Sequence, residues 1–283
     1  MPDYALQITP EEAGWAFCGL RVLAGETAFD TGDDELIVLP LEGGAEVTVD
    51  GESFTLRGRD GIWDGPTDFV YVPRDARVEI SAAGRVALPS SRAWNRLEPR
   101  YVDEVAVELR GAGQMSRQIN NFCGPDTDFA DRLIAVEVYT PGGNWSSYPP
   151  HKHDEDIPGV ETALEEIYYF EVADGGFAYQ RAYGPGIDIL EEVRSGDHVL
   201  LPSGYHGPSM AAPGYDLYYL NVMAGPGERE WRFTDDPAHA WIRESWEGQQ
   251  VDPRLPMSAR SREAGSRALS HNSGRMPRGG NRS

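Results

Sequence analysis

Apolar and polar positions alternate in short runs through residues 15–80, and glycine, proline and aspartate punctuate them. That is the period of half-buried strands, not of helices. Trp15–Leu23 runs into Ala24-Gly25, Glu35–Leu41 into Gly43-Gly44, and Ala45–Val49 into Asp50-Gly51 ahead of Ser53–Leu56. Asp-Gly between two such runs predicts a two-residue hairpin. Phe69–Val72 and Ala76–Ile80 complete a set of short strands. Thr9-Pro10-Glu11-Glu12 has the form of a helix cap but precedes a strand-like run, so it predicts one turn at most.

The same plan recurs further on. Leu20–Gly25 matches the run beginning at Val136, Glu35–Leu41 matches the run beginning at Glu166, and Phe69–Arg77 matches His198–His206. Two copies of one β-module are expected. Beyond them, Asp236–Trp246 predicts a short helix with Asp236 as N-cap and Pro237 as its first residue. From about Pro253 the chain turns to Arg, Ser, Gly and Pro, a composition that cannot bury enough apolar surface to order itself. The expected division is 1–105 for a first module without a metal site, 106–250 for a second that carries one, and 251–283 for a disordered tail.

Gly 32 and Pro 21 suit many strands joined by tight turns, and 7 Trp, 13 Tyr and 9 Phe supply the bulk of a core. The formal charge of -21 excludes nucleic acid as a partner and means that an anionic substrate must be drawn in by local cations. Two cysteines, Cys18 and Cys123, imply no disulfide framework. No basic segment followed by an apolar stretch opens the chain, and no apolar run is long enough for a membrane span. A cytoplasmic protein with no membrane partner is expected; it could form a homo-oligomer.

The candidate chemistry lies in the second copy. In Tyr148-Pro-Pro-His151-Lys152-His153 two histidines share one face of an extended segment, and Glu165-Glu166 opens the next strand. His206 follows on a Pro-x-Gly turn. Alternation lets only one of Glu165 and Glu166 face the interior, and the alignment of Glu35 with Glu166 favours Glu166. Three imidazoles and a carboxylate suit Zn, Mn, Fe, Co or Ni. His198 reads as a core or second-layer residue; His239, on the predicted helix, and His271, in the tail, are not candidates. The first copy lacks the His-x-His, and Arg77 stands where the second has His206. No nucleophile elbow, phosphate-cradling loop or Cys-x-x-Cys is present, which leaves hydrolase, nucleotide and zinc-ribbon readings unsupported.

His-x-His followed by Glu, then Gly196-x5-Pro202-x-Gly204-x-His206, resembles the two cupin motifs, and two modules with only the second intact look like a bicupin: all-β, two jelly-roll barrels in tandem with a few short helices. The insert Asp154–Glu165 departs from ordinary cupin spacing. Together with Leu164–Phe170, Gly176–Arg181, Gly196–Pro208 and Tyr218–Pro226, it makes the chain, up to about Trp246, resemble the 5-deoxy-glucuronate isomerases of myo-inositol catabolism. The uronate ketol-isomerases of pectin breakdown share the same ligand set.

That resemblance implies metal ligands at His151, His153, Glu166 and His206, with zinc the expected ion and Mn, Fe, Co and Ni compatible. It implies an aldose–ketose isomerisation of 5-deoxy-D-glucuronate to 5-dehydro-2-deoxy-D-gluconate, in which a divalent ion acts as Lewis acid on the aldehyde and its neighbouring hydroxyl. Tyr168 shares the face of Glu166, and both are candidate catalytic groups. Gln180 and Arg181 point to opposite faces of one strand, so only one can line the site. Arg117 and Arg181 are candidates for the substrate carboxylate. The rival readings are a cupin dioxygenase with iron at the same ligands and a non-catalytic sugar-binding bicupin.

Overall fold

The Asp50-Gly51 turn behaves as its residues dictate. Both have positive φ, 50° and 90°, the pair of left-handed conformations that a type I′ hairpin needs, and they join Gly43–Val49 to Glu52–Arg59. In the computed structural model, which describes residues 4–201 and 203–257, such strands make up most of the regular structure, and the chain is all-β as expected. Thr9 caps the single turn of helix Pro10–Ala13. No helix among the described residues is long and apolar enough to cross a membrane.

An eight-stranded sheet runs Tyr4–Ile8, Cys18–Asp30, Arg77–Arg92, Asp34–Pro40, Phe69–Val72, Arg100–Val102, with the 43–59 hairpin attached to Arg77–Arg92. A six-stranded sheet runs His198–Leu201, Glu165–Val172, Leu217–Ala224, Ile134–Thr140, Arg117–Cys123, Ala106–Arg110. A third carries Ile187–Val193, Ala178–Gly184, Tyr205–Ala211, His151–Lys152 and Thr234–Asp235. The central four strands of the first sheet recur in the same order in the second, which is the repeat seen in the sequence.

The register corrects that repeat by one residue. Leu36 faces Val72 in the first half, where Glu166 faces Leu201 in the second. Ile37 faces Tyr71, as Ile167 faces Leu200. Glu35 therefore corresponds to Glu165, and Leu36 to Glu166. Both Glu35 and Glu165 reach across to the other half. Glu35 accepts the amides of Asp131, Arg132 and Leu133 at 2.6–2.8 Å, along with the Tyr71 hydroxyl. Glu165 accepts those of Ala16, Phe17 and Cys18 at 2.8–2.9 Å. Each carboxylate thus clasps the start of a strand in the other half, Ile134–Thr140 for Glu35 and Cys18–Asp30 for Glu165.

Alternation sorts the core accordingly. Ile37, Leu39, Ile167 and Tyr169 meet in one buried cluster between the halves, whereas Leu36 and Val38 fill the first half's interior and Tyr168 and Phe170 the second's. The seam also holds a buried ion pair: Glu137 accepts from the Arg59 guanidinium, Tyr218 and Asn120.

Two expectations meet a different structure. The predicted helix at 236–246 is a 3-10 helix over Ala240–Trp246, preceded by His239, whose side chain makes no capping bond. Asp236 instead closes the preceding turn by accepting the Ala238 amide at 2.9 Å and the Tyr183 hydroxyl. The expected tail begins too early: Leu255 and Met257 are buried in the seam cluster, and the Met257 amide donates to Gln118 at 2.7 Å. The remainder of that tail, 258–283 with His271, lies outside the described residues.

Removing one member of the buried pair leaves a charge stranded in the seam. Arg59→Met is expected to lower stability by about 3–5 kcal/mol, read as a fall in the urea midpoint. The double variant Arg59→Met with Glu137→Met should lose less than Arg59→Met alone; a loss equal to the sum of the two single variants would contradict the pairing.

Candidate metal centre and adjoining cavity

Three backbone devices bring the side chains together. Strand alternation turns Glu166 and Tyr168 into the second half's interior, where Glu166 is 1% exposed. His151 pairs directly with His206 across an antiparallel bridge, and their rings stand 4.5 Å apart. Gly207, at φ 92°, follows His206; a Cβ there would lie 1.7 Å from the Ser147 carbonyl oxygen, so only glycine allows this approach. His153 lies beyond the two-residue strand His151–Lys152 and is fixed by Leu164, whose amide donates to the His153 carbonyl at 2.9 Å.

The insert supports that placement. Glu161 accepts the amides of Asp154 and Glu155 and the Lys152 ammonium, each at 3.0 Å. Lys152 is turned away from the imidazoles and bound to Asp154 and Glu155 as well.

His153, Glu166 and His206 form a group whose ligand atoms lie within 4.8 Å of one another. Glu166 Oε2 stands 3.1 Å from His153 Nε2 and 3.1 Å from His206 Nε2. It is hydrogen-bonded to the first only. His206 Nε2, fully buried, has no hydrogen-bond partner among the described residues. A buried nitrogen left in this way is destabilising unless something takes its lone pair, and two imidazoles with a carboxylate aimed at one point are a donor set for a cation. The Leu164 carbonyl, 3.3 Å from His153 Nδ1, and the Pro149 carbonyl, 3.2 Å from His151 Nδ1, can accept the Nδ1 protons, and in that tautomer each Nε2 would be available to a cation. His151 stands at the rim, its ring 6.4 Å from that of His153.

Burial holds His206 neutral, well below its ordinary value, and takes His151 from 6.5 to about 3, with His153 adding to the effect. His153 moves the other way: burial opposes its charge, but the hydrogen bond and charge of Glu166 outweigh burial and raise it. Burial, then the charge of Glu166, keeps the Tyr168 phenol protonated. Its hydroxyl is 2.9 Å from Ser147 Oγ.

His151 and Tyr168 also line a cavity of about 30 Å³ that opens to solvent. Arg117 borders it, and sequence reasoning had singled that residue out. Gln180 and Arg181 do not. Gln180 is buried one layer away, accepting from the Ser209 hydroxyl, and Arg181 faces outward, paired with Asp188 at 2.6 Å. His198, expected in the core or a second layer, is exposed. Arg110, Arg243, Trp231 and Phe233 line the cavity too and were missed. Arg243 could have been found only by knowing that the chain after Asp235 folds back over the site.

A family model described as the KduI/IolB family matches residues 2–242. The chain is 42% identical over 253 residues to a protein of Geobacillus kaustophilus named 5-deoxy-glucuronate isomerase, covering 85% of this chain and 91% of that one. A Bacillus subtilis protein of the same name is 42% identical over 220 residues, 74% and 80% of the two chains. Among solved structures, an IolB-like protein of Salmonella typhimurium superposes with a TM-score of 0.81 at 36% identity, covering 86% of this chain and 96% of the other. The Bacillus subtilis oxalate decarboxylase, studied for its Mn(II) centres, shares the fold at 13% identity and a TM-score of 0.55, over 83% and 77% of the chains. The expected bicupin architecture is borne out.

The three rings set opposite pH dependences in metal-stripped protein. His153, raised, stabilises fully below about pH 6.5, and its contribution is lost as pH rises through its folded value. His151 and His206, lowered, contribute above about pH 6.5, and that stability is lost as pH falls, for His151 down to about 3. His151→Ala should therefore flatten the acid limb of the stability curve by about 1.4 kcal/mol per pH unit, measured by urea melts between pH 6 and 4. An unchanged slope would mean that His151 is not held neutral.

Proposed function

The chain belongs to the KduI/IolB family, and from that premise we propose that it isomerises 5-deoxy-D-glucuronate to 5-dehydro-2-deoxy-D-gluconate at a divalent metal ion. The observation that carries the reading is the orphaned Nε2 of His206, 3.1 Å from a Glu166 oxygen that His153 shares. His151, His153, Glu166 and His206 would hold the ion, with zinc the expected metal. Once bound, such an ion supplies Lewis-acid polarisation of an aldehyde and the hydroxyl beside it.

The chain's own residues supply the rest. Tyr168, kept protonated by burial, donates a hydrogen bond from its hydroxyl to a substrate oxygen. Arg117, Tyr168 and His151 line one cavity, so a ligand whose reactive end lies at the histidines can extend toward the guanidinium. Trp231 and Phe233 close the wall and limit water, which strengthens each of these interactions. Cys18 and Cys123 are buried free thiols, in keeping with a cytoplasmic enzyme.

Full-length protein incubated with 5-deoxy-D-glucuronate without oxygen should give the ketose, followed by NMR. Conversion that requires O₂ would replace the isomerase by a dioxygenase. His153→Ala is expected to lose bound metal on elemental analysis and at least 10²-fold in kcat/KM, with the β-type circular dichroism retained. Near-normal turnover by that variant would remove His153 from the ligand set.

A further inference from the structure

Arg110, Arg117 and Arg243 converge on the cavity beside His151, but they are not equivalent. Arg110 is bound through Nε and Nη2 to Glu108 at 2.7 and 2.9 Å. Arg243 is bound in the same two-pronged way to Asp235, whose strand pairs with that of His151. Arg117 has no carboxylate partner among the described residues. It is 5% exposed, and Nη1 donates to the Met115 and Tyr148 carbonyls at 3.2 and 3.3 Å. Its plane lies over Trp246, 5.4 Å from the ring, and Arg243 lies over the same indole at 5.3 Å.

A buried guanidinium with no counter-charge is unfavourable, and burial lowers the Arg117 pKa to about 10, with the charges of Arg110 and Arg243 acting in the same direction. The backbone is shaped to keep it there. Gly111, at φ 81°, has no side chain; a Cβ there would sit 2.1 Å from the Met115 carbonyl oxygen that accepts from Arg117, and 2.8 Å from Arg117 Nη1 itself. Trp231, also on the cavity wall, has an indole N–H without an acceptor among the described residues. Donors are thus in excess here, and three guanidiniums against two carboxylates leave a single uncompensated positive charge.

We infer that Arg117 is the specificity-determining residue of this cavity: it takes the carboxylate of a sugar acid, and Glu108 and Asp235 neutralise its two neighbours so that the site selects a monocarboxylate over a sugar phosphate. The inference deepens the isomerase reading, on which it rests for the identity of the reacting end. A planar guanidinium presents paired donors to a carboxylate. A phosphate near neutral pH carries up to two charges and would leave one without a partner.

The test is calorimetric binding of D-glucuronate, D-glucose and D-glucose 6-phosphate to full-length, metal-loaded protein. Glucuronate is expected to bind about tenfold to a hundredfold more tightly than either of the others. Arg117→Met should erase its advantage over glucose, and Arg117→Lys should restore part of it, with unchanged circular dichroism showing that both variants fold. Glu108→Gln, which frees Arg110, should shift preference toward the phosphate. Equal binding of glucuronate and glucose by wild type, or undiminished glucuronate binding by folded Arg117→Met, would overturn the assignment. Arg117-dependent glucuronate binding in a protein that fails to isomerise would overturn the isomerase reading and leave the carboxylate site standing.

Discussion

Two consecutive glutamates carry this architecture. Because strand side chains alternate, Glu165 must face the seam if Glu166 faces the interior. Glu165 is bound by three amides of the first half, Glu166 by His153 within the second. A one-residue slip would exchange them, putting Glu165 among the imidazoles and Glu166 into the seam. The register of Glu165–Val172 is therefore set twice, by the contact between the halves and by the site. Glu35 makes the reciprocal contact, so each half holds the start of a strand in the other.

Charge is arranged locally against the average. The chain carries a formal -21, yet the cavity wall holds three arginines and keeps one of them without a carboxylate partner among the described residues. Acidic groups elsewhere are tied up in structural tasks: Glu161 with Lys152 and two amides, Asp68 with the amides of Arg57 and Gly58. At short range, in a site shielded from solvent, the nearby guanidinium dominates over charges screened by water on the surface.

How much of this was legible in the sequence depended on whether the signal was local. The Asp50-Gly51 hairpin, the single turn at Pro10 and the strand runs followed from residue chemistry over a few positions. The choice of Glu166 was right for the wrong reason. The aligned apolar runs equated it with Glu35, whereas the register equates it with Leu36; a pattern of period two cannot fix phase when Glu-Glu precedes one run and Asp-Glu the other. The segment at 251–257 looked like the start of a tail because the chain from about Pro253 onward is dominated by Arg, Ser, Gly and Pro, but Leu255 and Met257 are enough to seat it in the seam. Arg110 and Arg243 were missed because no local pattern marks them: Arg110 faces Arg117 across an antiparallel pair, and Arg243 reaches the cavity where the chain after Asp235 folds back.

The difference between the halves shows what a site does to a barrel interior. The first half fills its core with Leu36, Val38, Val47, Val70 and similar side chains. At the position of Leu36 the second half has Glu166, with His153 and His206 against it, and its interior includes a nitrogen with no hydrogen-bond partner among the described residues. Burying such groups without compensation opposes folding, so the second barrel depends on what it binds and on what surrounds it. The seam meets the second need: its cluster draws on strands of both halves, and both glutamate clasps cross it. On this argument the first half, whose described residues hold no such group of ligand atoms, supplies through its apolar core the stability that a polar interior gives up.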